Sequence, residues 1–189
     1  MKTLTVFTPT FNRAFCLSTL YDSLCRQSSK DFKWLIIDDG STDTTQELVN
    51  SWIHNGLITI EYQYKENQGM HSGHNVAYSL IDTELNVCID SDDFMPDDAV
   101  ENILKLWADR DQCKNLAGLI GLDAFKDGHI VEKIPDHFKY ATLFELEVEN
   151  QIQGDKKVVL RTEVVKEFPP YPIYDHERLV PLGTLYLMI

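Results

Sequence analysis

Basic residues are scarce in this chain: 17 Lys and Arg stand against 30 Asp and Glu, a net charge of −13. Nucleic acid and anionic membrane surfaces are bound through basic patches, so neither is expected as the main partner. Cysteine is scarce as well. Cys16, Cys25, Cys88 and Cys113 show no CxxC or zinc spacing. They read as reduced thiols, with Cys88 a small core residue. No apolar run approaches the eighteen or so residues of a membrane span. The amino terminus, MKTLTVFTPTF, breaks at Pro9 and turns polar at Asn12, unlike a signal peptide. Glycine is too sparse around Gly69 and Gly73 to make GxGxxG, and no GxxxxGK[ST] occurs, which removes the dinucleotide and P-loop fingerprints. What remains is a globular chain expected in the cytoplasm, with a peripheral position on the inner face of the cell membrane also compatible. An acidic protein that handles a phosphate compound needs local help, and a metal or a helix N-terminus can supply it.

The patterns that are present describe an α/β protein. Strand-like runs at Thr3–Phe7, Phe32–Ile37, Leu57–Tyr64, Leu85–Ile89 and Ala117–Leu122 alternate with helical spacing at Phe15–Arg26, Thr44–Ile53, His74–Ile81 and from Pro96 through Trp107. Such alternation predicts a mostly parallel central sheet covered on both faces, a three-layer sandwich. After about Ala124 the pattern changes. Asp127-Gly128 is a hairpin signal, and Ala141–Val148 reads as a helix, Lys156–Leu160 as a strand and Thr162–Glu167 as a short helix. Phe168-Pro-Pro-Tyr-Pro172 is a stiff extended loop. The chain reads as one domain, 1–189, with halves 1–123 and 124–189. Because it stops in the apolar stretch PLGTLYLMI, it is expected to be truncated at its C-terminus.

Three of the loops that follow strands carry chemistry: Pro9–Arg13, Asp38–Asp43 and Asp90–Asp93. In a parallel sheet they leave by one edge, as a single site requires. The run Val87-Cys88-Ile89 ends in Asp90, Asp92, Asp93, Asp97 and Asp98. Carboxylates this close repel unless a cation sits among them, and hard divalent cations take oxygen ligands. Mg2+ or Mn2+ is therefore a candidate, although a solvated acidic turn capping the next helix would show the same pattern. An EF-hand register fails, because Phe94 and Met95 would fall on its fifth and sixth positions. Asp38-Asp39-Gly40-Ser41 is a turn and helix cap that could also accept a pyrimidine N3–H. In Asn67–Asn75 the glycines permit close approach to a ligand, and His71, His74 and Asn75 could contact phosphate.

VFTPTFNR, LIIDDGSTDTT, the NQG…HN loop and CIDSDD, in this order and spacing, resemble the family-two glycosyltransferases of GT-A fold over about Met1–Leu122. The resemblance implies an inverting enzyme that moves a sugar from a nucleotide-diphospho-sugar, of UDP or dTDP type, to a saccharide or lipid-linked saccharide acceptor. A bacterial cell-envelope polysaccharide role follows from the family alone. Pro9, Thr10, Asn12, Arg13 and Asp39 would hold the nucleotide, with Gly69, His74, Asn75, Asp90 and Ser91 beside it. Asp90 and Asp92 match the family's DxD. Asp92 is the expected metal ligand, with Asp93 sharing it and Asp90 facing the ribose or sugar. His74 stands where the family usually has arginine. The family's catalytic base lies downstream in an acidic pair, and here the candidates are Glu177, favoured, and Asp175, both in YDHER.

Two other readings compete. A nucleotidyltransferase would need a glycine-rich basic loop after the first strand, and Pro9-Thr-Phe-Asn lacks it. A non-catalytic nucleotide-sugar or metal-binding module would share every motif but the base.

Overall fold

The structure, a computed structural model, describes residues 2–111, 115–125, 127–152 and 154–189. Cys113 lies outside them, while Cys16, Cys25 and Cys88 are free thiols. Among the described residues six strands form one sheet: β1 (Leu4–Thr10), β2 (Phe32–Asp38), β3 (Ile60–Tyr64), β4 (Leu85–Cys88), β5 (Gly118–Leu122) and β6 (Lys156–Arg161). Their order is β3-β2-β1-β4-β6-β5, the first four parallel and β6 antiparallel to both of its neighbours. The helices are α1 (Ala14–Arg26), α2 (Thr45–Asn55), α3 (Met70–Leu80), α4 (Ala99–Ala108), α5 (Thr162–Lys166) and α6 (Gly183–Tyr186).

Period-two alternation sorts the strands onto two cores. Leu4 and Val6, Phe32, Trp34 and Ile36, and Leu85 and Val87 face α1, α2 and α4, with Leu20, Tyr21, Trp52 and Trp107 buried among them. Phe7, Leu35, Ile37 and Leu160 face α3, α5 and α6, with Tyr78, Val165 and Leu185. Apolar residues on both faces are what a sheet covered on both sides needs, so the three-layer α/β architecture is as expected.

The differences are local and have identifiable causes. β1 runs three residues further than the pattern suggested, through Pro9. Alternate residues of a parallel strand bond to opposite neighbours, and Phe7 faces β4, where Ile89 N–H reaches its carbonyl. Pro9 points to the same side, but β4 has ended at Cys88, so its missing N–H leaves no ladder bond unmade. Helix α3 starts at Met70, four residues before the expected His74, because the chain break falls at Gly69, whose φ is 95°. Gly73 is therefore inside a helix, its bare Cα packed near Pro9. The helix expected at Ala141–Val148 is centred on a π turn, Glu145–Glu149, started by a reciprocal cap in which Thr142 N–H donates to Glu145 and Glu145 N–H to the Thr142 hydroxyl. At Asp127-Gly128 the hairpin reduces to one bridge, Ala124 with Ile130.

Candidate functional site

β1, β2 and β4 end on the same edge of the sheet, and the loops leaving β1 and β2 are tied together by hydrogen bonds. Asn12, held at φ 53°, accepts from the N–H groups of Thr42 (2.8 Å) and Asp43 (3.3 Å) through Oδ1, while its own N–H donates to the Ser41 hydroxyl. Asp43 accepts from Ala14 N–H, Thr45 N–H and the Thr45 hydroxyl. Burial works to raise its pKa, but these hydrogen bonds prevail and hold its carboxyl below the usual range. The Asx-type side chains thus stitch the first loaded loop to the second and start both α1 and α2.

Asp39 is 4% exposed. Its Oδ1 accepts from the Lys65 ammonium, Gln68 N–H (3.0 Å) and, weakly, the Ser72 hydroxyl. Its Oδ2 accepts from Gly69 N–H at 2.8 Å. A carboxylate has about four acceptor directions, and Oδ2 has one partner among the described residues. Neighbouring Asp38 is committed to Tyr62 and Ser41. Two buried polar groups nearby have no partner among the described residues: the Thr10 hydroxyl and both ring nitrogens of His71, which opens α3 beside Gly69. Buried polar groups are ordinarily paired, so these are places where a ligand or water would be welcome.

His74 is placed in the core and not at the ligand edge. It is fully buried, with Phe7, Tyr78 and Tyr171 around its ring, Nδ1 toward the Tyr78 hydroxyl and Nε2 toward Cys88. Burial, with a smaller contribution from His71, lowers its pKa to about 3. A neutral, enclosed imidazole is a poor substitute for the family's arginine at a phosphate. Asn75 is likewise engaged, donating to the Tyr171 carbonyl and accepting from Tyr171 N–H, both at 2.8 Å. That pair clamps the segment after Phe168 onto α3.

The acidic loop is partly compensated by two cations. Arg13 approaches Asp92 at 3.7 Å. Lys157, from β6, donates to Asp93 at 2.9 Å and lies 3.6 Å from Asp90 and 3.7 Å from Asp123. Burial raises the pKa of Asp90, with Lys157 opposing and Asp93 and Asp92 reinforcing; burial also raises that of Asp123. For Lys157, burial works to lower the value, but the carboxylates outweigh it and hold its ammonium protonated well above the usual range. Neither Lys157 nor Asp123 was recognised from the sequence. Asp123 repeats the pattern of Asp38 and Asp90, an apolar strand ended by a carboxylate, and could have been found that way. Lys157 could not, because its place depends on β6 running backwards beside β4. Ser91 is buried in the same loop.

Asp175 and Glu177 are exposed on a tight turn closed by a Tyr174–Glu177 bridge, and Glu177 accepts from Leu179 N–H at 2.8 Å. Arg178 donates to the Asn67 carbonyl at 2.7 Å, and its own carbonyl lies where a Cβ on Gly69 would be. The YDHER turn is thus fastened to the Asn67–Gly69 loop, whose N–H groups hold Asp39. A cavity of about 700 Å³ also exists, between Glu84, Trp107, Arg110 and Arg161. It lies at the opposite edge of the sheet, by the amino end of β4, away from every motif.

Residues 5–167 match the profile of Glycosyl transferase family 2. The chain belongs to that family. Curated relatives include the chondroitin synthase of Pasteurella multocida (strain Pm70), 33% identical over 102 residues, covering 54% of this chain and 10% of that protein. Another is the validoxylamine A glucosyltransferase of Streptomyces hygroscopicus subsp. jinggangensis, 40% identical over 68 residues, 35% of this chain and 16% of that one. The chain therefore spans a small part of these relatives. Among solved structures, S. aureus TarS in complex with UDP-GlcNAc superposes with a TM-score of 0.66 at 21% identity, over 88% of this chain and 47% of that one. The mannosyltransferase PcManGT of Pyrobaculum calidifontis, in complex with GDP-Man and Mn2+, gives 0.65 at 19% identity, over 89% and 47%. The fold is GT-A.

Proposed function

We propose that this family-two chain carries the donor site and the base of an inverting glycosyltransferase using a UDP- or dTDP-sugar and a saccharide or lipid-linked saccharide acceptor, in cytoplasmic assembly of a bacterial cell-envelope polysaccharide. The observation that carries the reading is Asp39. It is a buried carboxylate at the carboxyl edge of β2, pre-aimed by two loop N–H groups and Lys65, with Oδ2 still able to accept. A pyrimidine N3–H suits that acceptor, whereas adenine presents only an acceptor at the corresponding ring nitrogen. Guanine also carries a ring N–H but is a larger base.

A divalent cation fits the site by ligand chemistry, though among the described residues no three side chains form a ready cage. Asp92 and Asp93 would hold Mg2+ or Mn2+, which would offset the charge of the departing diphosphate. Asp90, two residues before Asp92, would face the ribose or sugar, with Ser91 beside the nucleotide, while Pro9, Thr10, Asn12 and Arg13 would form the other wall. Glu177, with Asp175 as the alternative, takes the proton of the acceptor hydroxyl as its oxygen bonds to the anomeric carbon and the carbon–diphosphate bond breaks.

A thermal-shift series tests the donor assignment, because a ligand bound to the folded state raises its apparent stability. UDP or dTDP with Mn2+ should raise Tm, and ADP or GDP should not. Asp39→Ala should abolish the preference. Equal shifts from purine and pyrimidine diphosphates would contradict the role of Asp39. Hydrolysis or transfer of UDP-sugar then separates an enzyme from a binding module.

A further inference from the structure

The antiparallel pairing of β6 with β4 and β5 brings a lysine to the acidic edge. Val87 pairs with Val159, so continuing two residues sets Lys157 beside Ile89, one residue before Asp90. Gly121 pairs with Lys157, and Asp123 follows just past the end of β5. The Lys157 side chain is 26% exposed, and its ammonium has carboxylates from both neighbouring strand ends within 4 Å: Asp90 and Asp93 on one side, Asp123 on the other. The charge of Lys157 is thus shared among three carboxylates, and the closest of them, Asp93 at 2.9 Å, belongs to the loop read above as the metal loop.

We propose that Lys157 is a positioning residue that competes with the divalent cation for Asp93, and so makes metal binding by this site weak until the nucleotide arrives. The inference rests on the metal reading of Asp92 and Asp93 given above. A metal approaching Asp93 meets a lysine already hydrogen-bonded there and is repelled by its charge. The diphosphate brings further oxygen ligands and negative charge, which favour the metal and offer Lys157 another anionic partner. Metal and nucleotide should then bind together with strong mutual enhancement.

The test measures Mn2+ binding without nucleotide, from the free-ion electron paramagnetic resonance signal, in wild type, Lys157→Met and Lys157→Arg. Methionine keeps most of the stem and removes the charge, while arginine keeps the charge. Lys157→Met should bind Mn2+ about tenfold more tightly than wild type or more, and Lys157→Arg should stay near wild type, since a neighbouring like charge disfavours a bound cation. Circular dichroism confirms that both variants fold. Should Lys157→Met misfold, neutralising the other partner serves instead: Asp123→Asn leaves Lys157 more firmly on Asp93 and should weaken Mn2+ binding. Unchanged or weaker Mn2+ binding in a folded Lys157→Met would overturn the competition, as would failure of both wild type and Lys157→Met to bind Mn2+. The metal reading is judged separately, by whether UDP binding to the wild type requires Mn2+.

Discussion

Protonating His74 in the folded chain would place a buried charge among Phe7, Tyr78 and Tyr171, which burial disfavours. Its folded pKa, about 3, lies below the ordinary value of 6.5. The unfolded chain therefore binds the proton first. The stability that neutral His74 permits is fully present above the unfolded value and is lost as pH falls from there toward 3. Between about pH 7 and about pH 5, wild type should lose about 2 kcal/mol more than His74→Gln in urea unfolding, with the carboxylate contributions common to both. Parallel pH profiles of the two proteins would contradict the burial of His74. Glu177 belongs to the same scale. Glu177→Gln preserves shape and should leave UDP and Mn2+ binding near wild type, while transfer falls roughly 100-fold or more in single-turnover measurements. Normal transfer by Glu177→Gln with loss in Asp175→Asn would move the base to Asp175.

At the scale of elements, α3 carries two burdens. The loop that enters it presents the N–H groups of Gln68 and Gly69 to Asp39, and Asn75 holds the segment that leads to YDHER. Asn75→Ala breaks a two-bond clamp to the Tyr171 backbone and should destabilise by about 1–3 kcal/mol in chemical denaturation. Gly69 joins the two roles. Its φ of 95° suits glycine, and a Cβ would collide with the Arg178 carbonyl. Gly69→Ala should displace the YDHER turn from the Asn67–Gly69 loop. Limited proteolysis near residues 174–179 should speed up, and transfer should fall even at saturating donor. An unchanged digestion pattern would mean that the two segments are not coupled.

At the scale of the molecule, the carboxyl edge of the sheet concentrates charge. Four carboxylates, Asp90, Asp92, Asp93 and Asp123, face Lys157 and Arg13 on a chain of net charge −13. EDTA should therefore remove most of the UDP-induced Tm shift, and Asp92→Asn should reduce it in the presence of Mn2+ without lowering the Tm of the free protein. UDP stabilisation that survives EDTA would mean that Lys157 and Arg13 suffice for the diphosphate.

Local pattern was enough to read the strands and helices of the first half, because period-two and helical spacing follow from which side chains must face a core, and both cores draw on contiguous segments. It was also enough to place Asp39 and Asp90–Asp93 at strand ends, since each follows an apolar run of strand character. It could not show that β6 is inserted backwards between β4 and β5, which is a pairing between segments about 70 and 40 residues apart. Three facts of the site depend on that kind of long-range packing. Lys157 stands among the aspartates, His74 is enclosed and neutral, and Arg178 closes over Gly69. The sequence by itself determined the layers and the chemistry along the sheet edge. Tertiary structure alone decided which charges meet there, because Coulomb energy and desolvation depend on distance and burial and not on position along the chain.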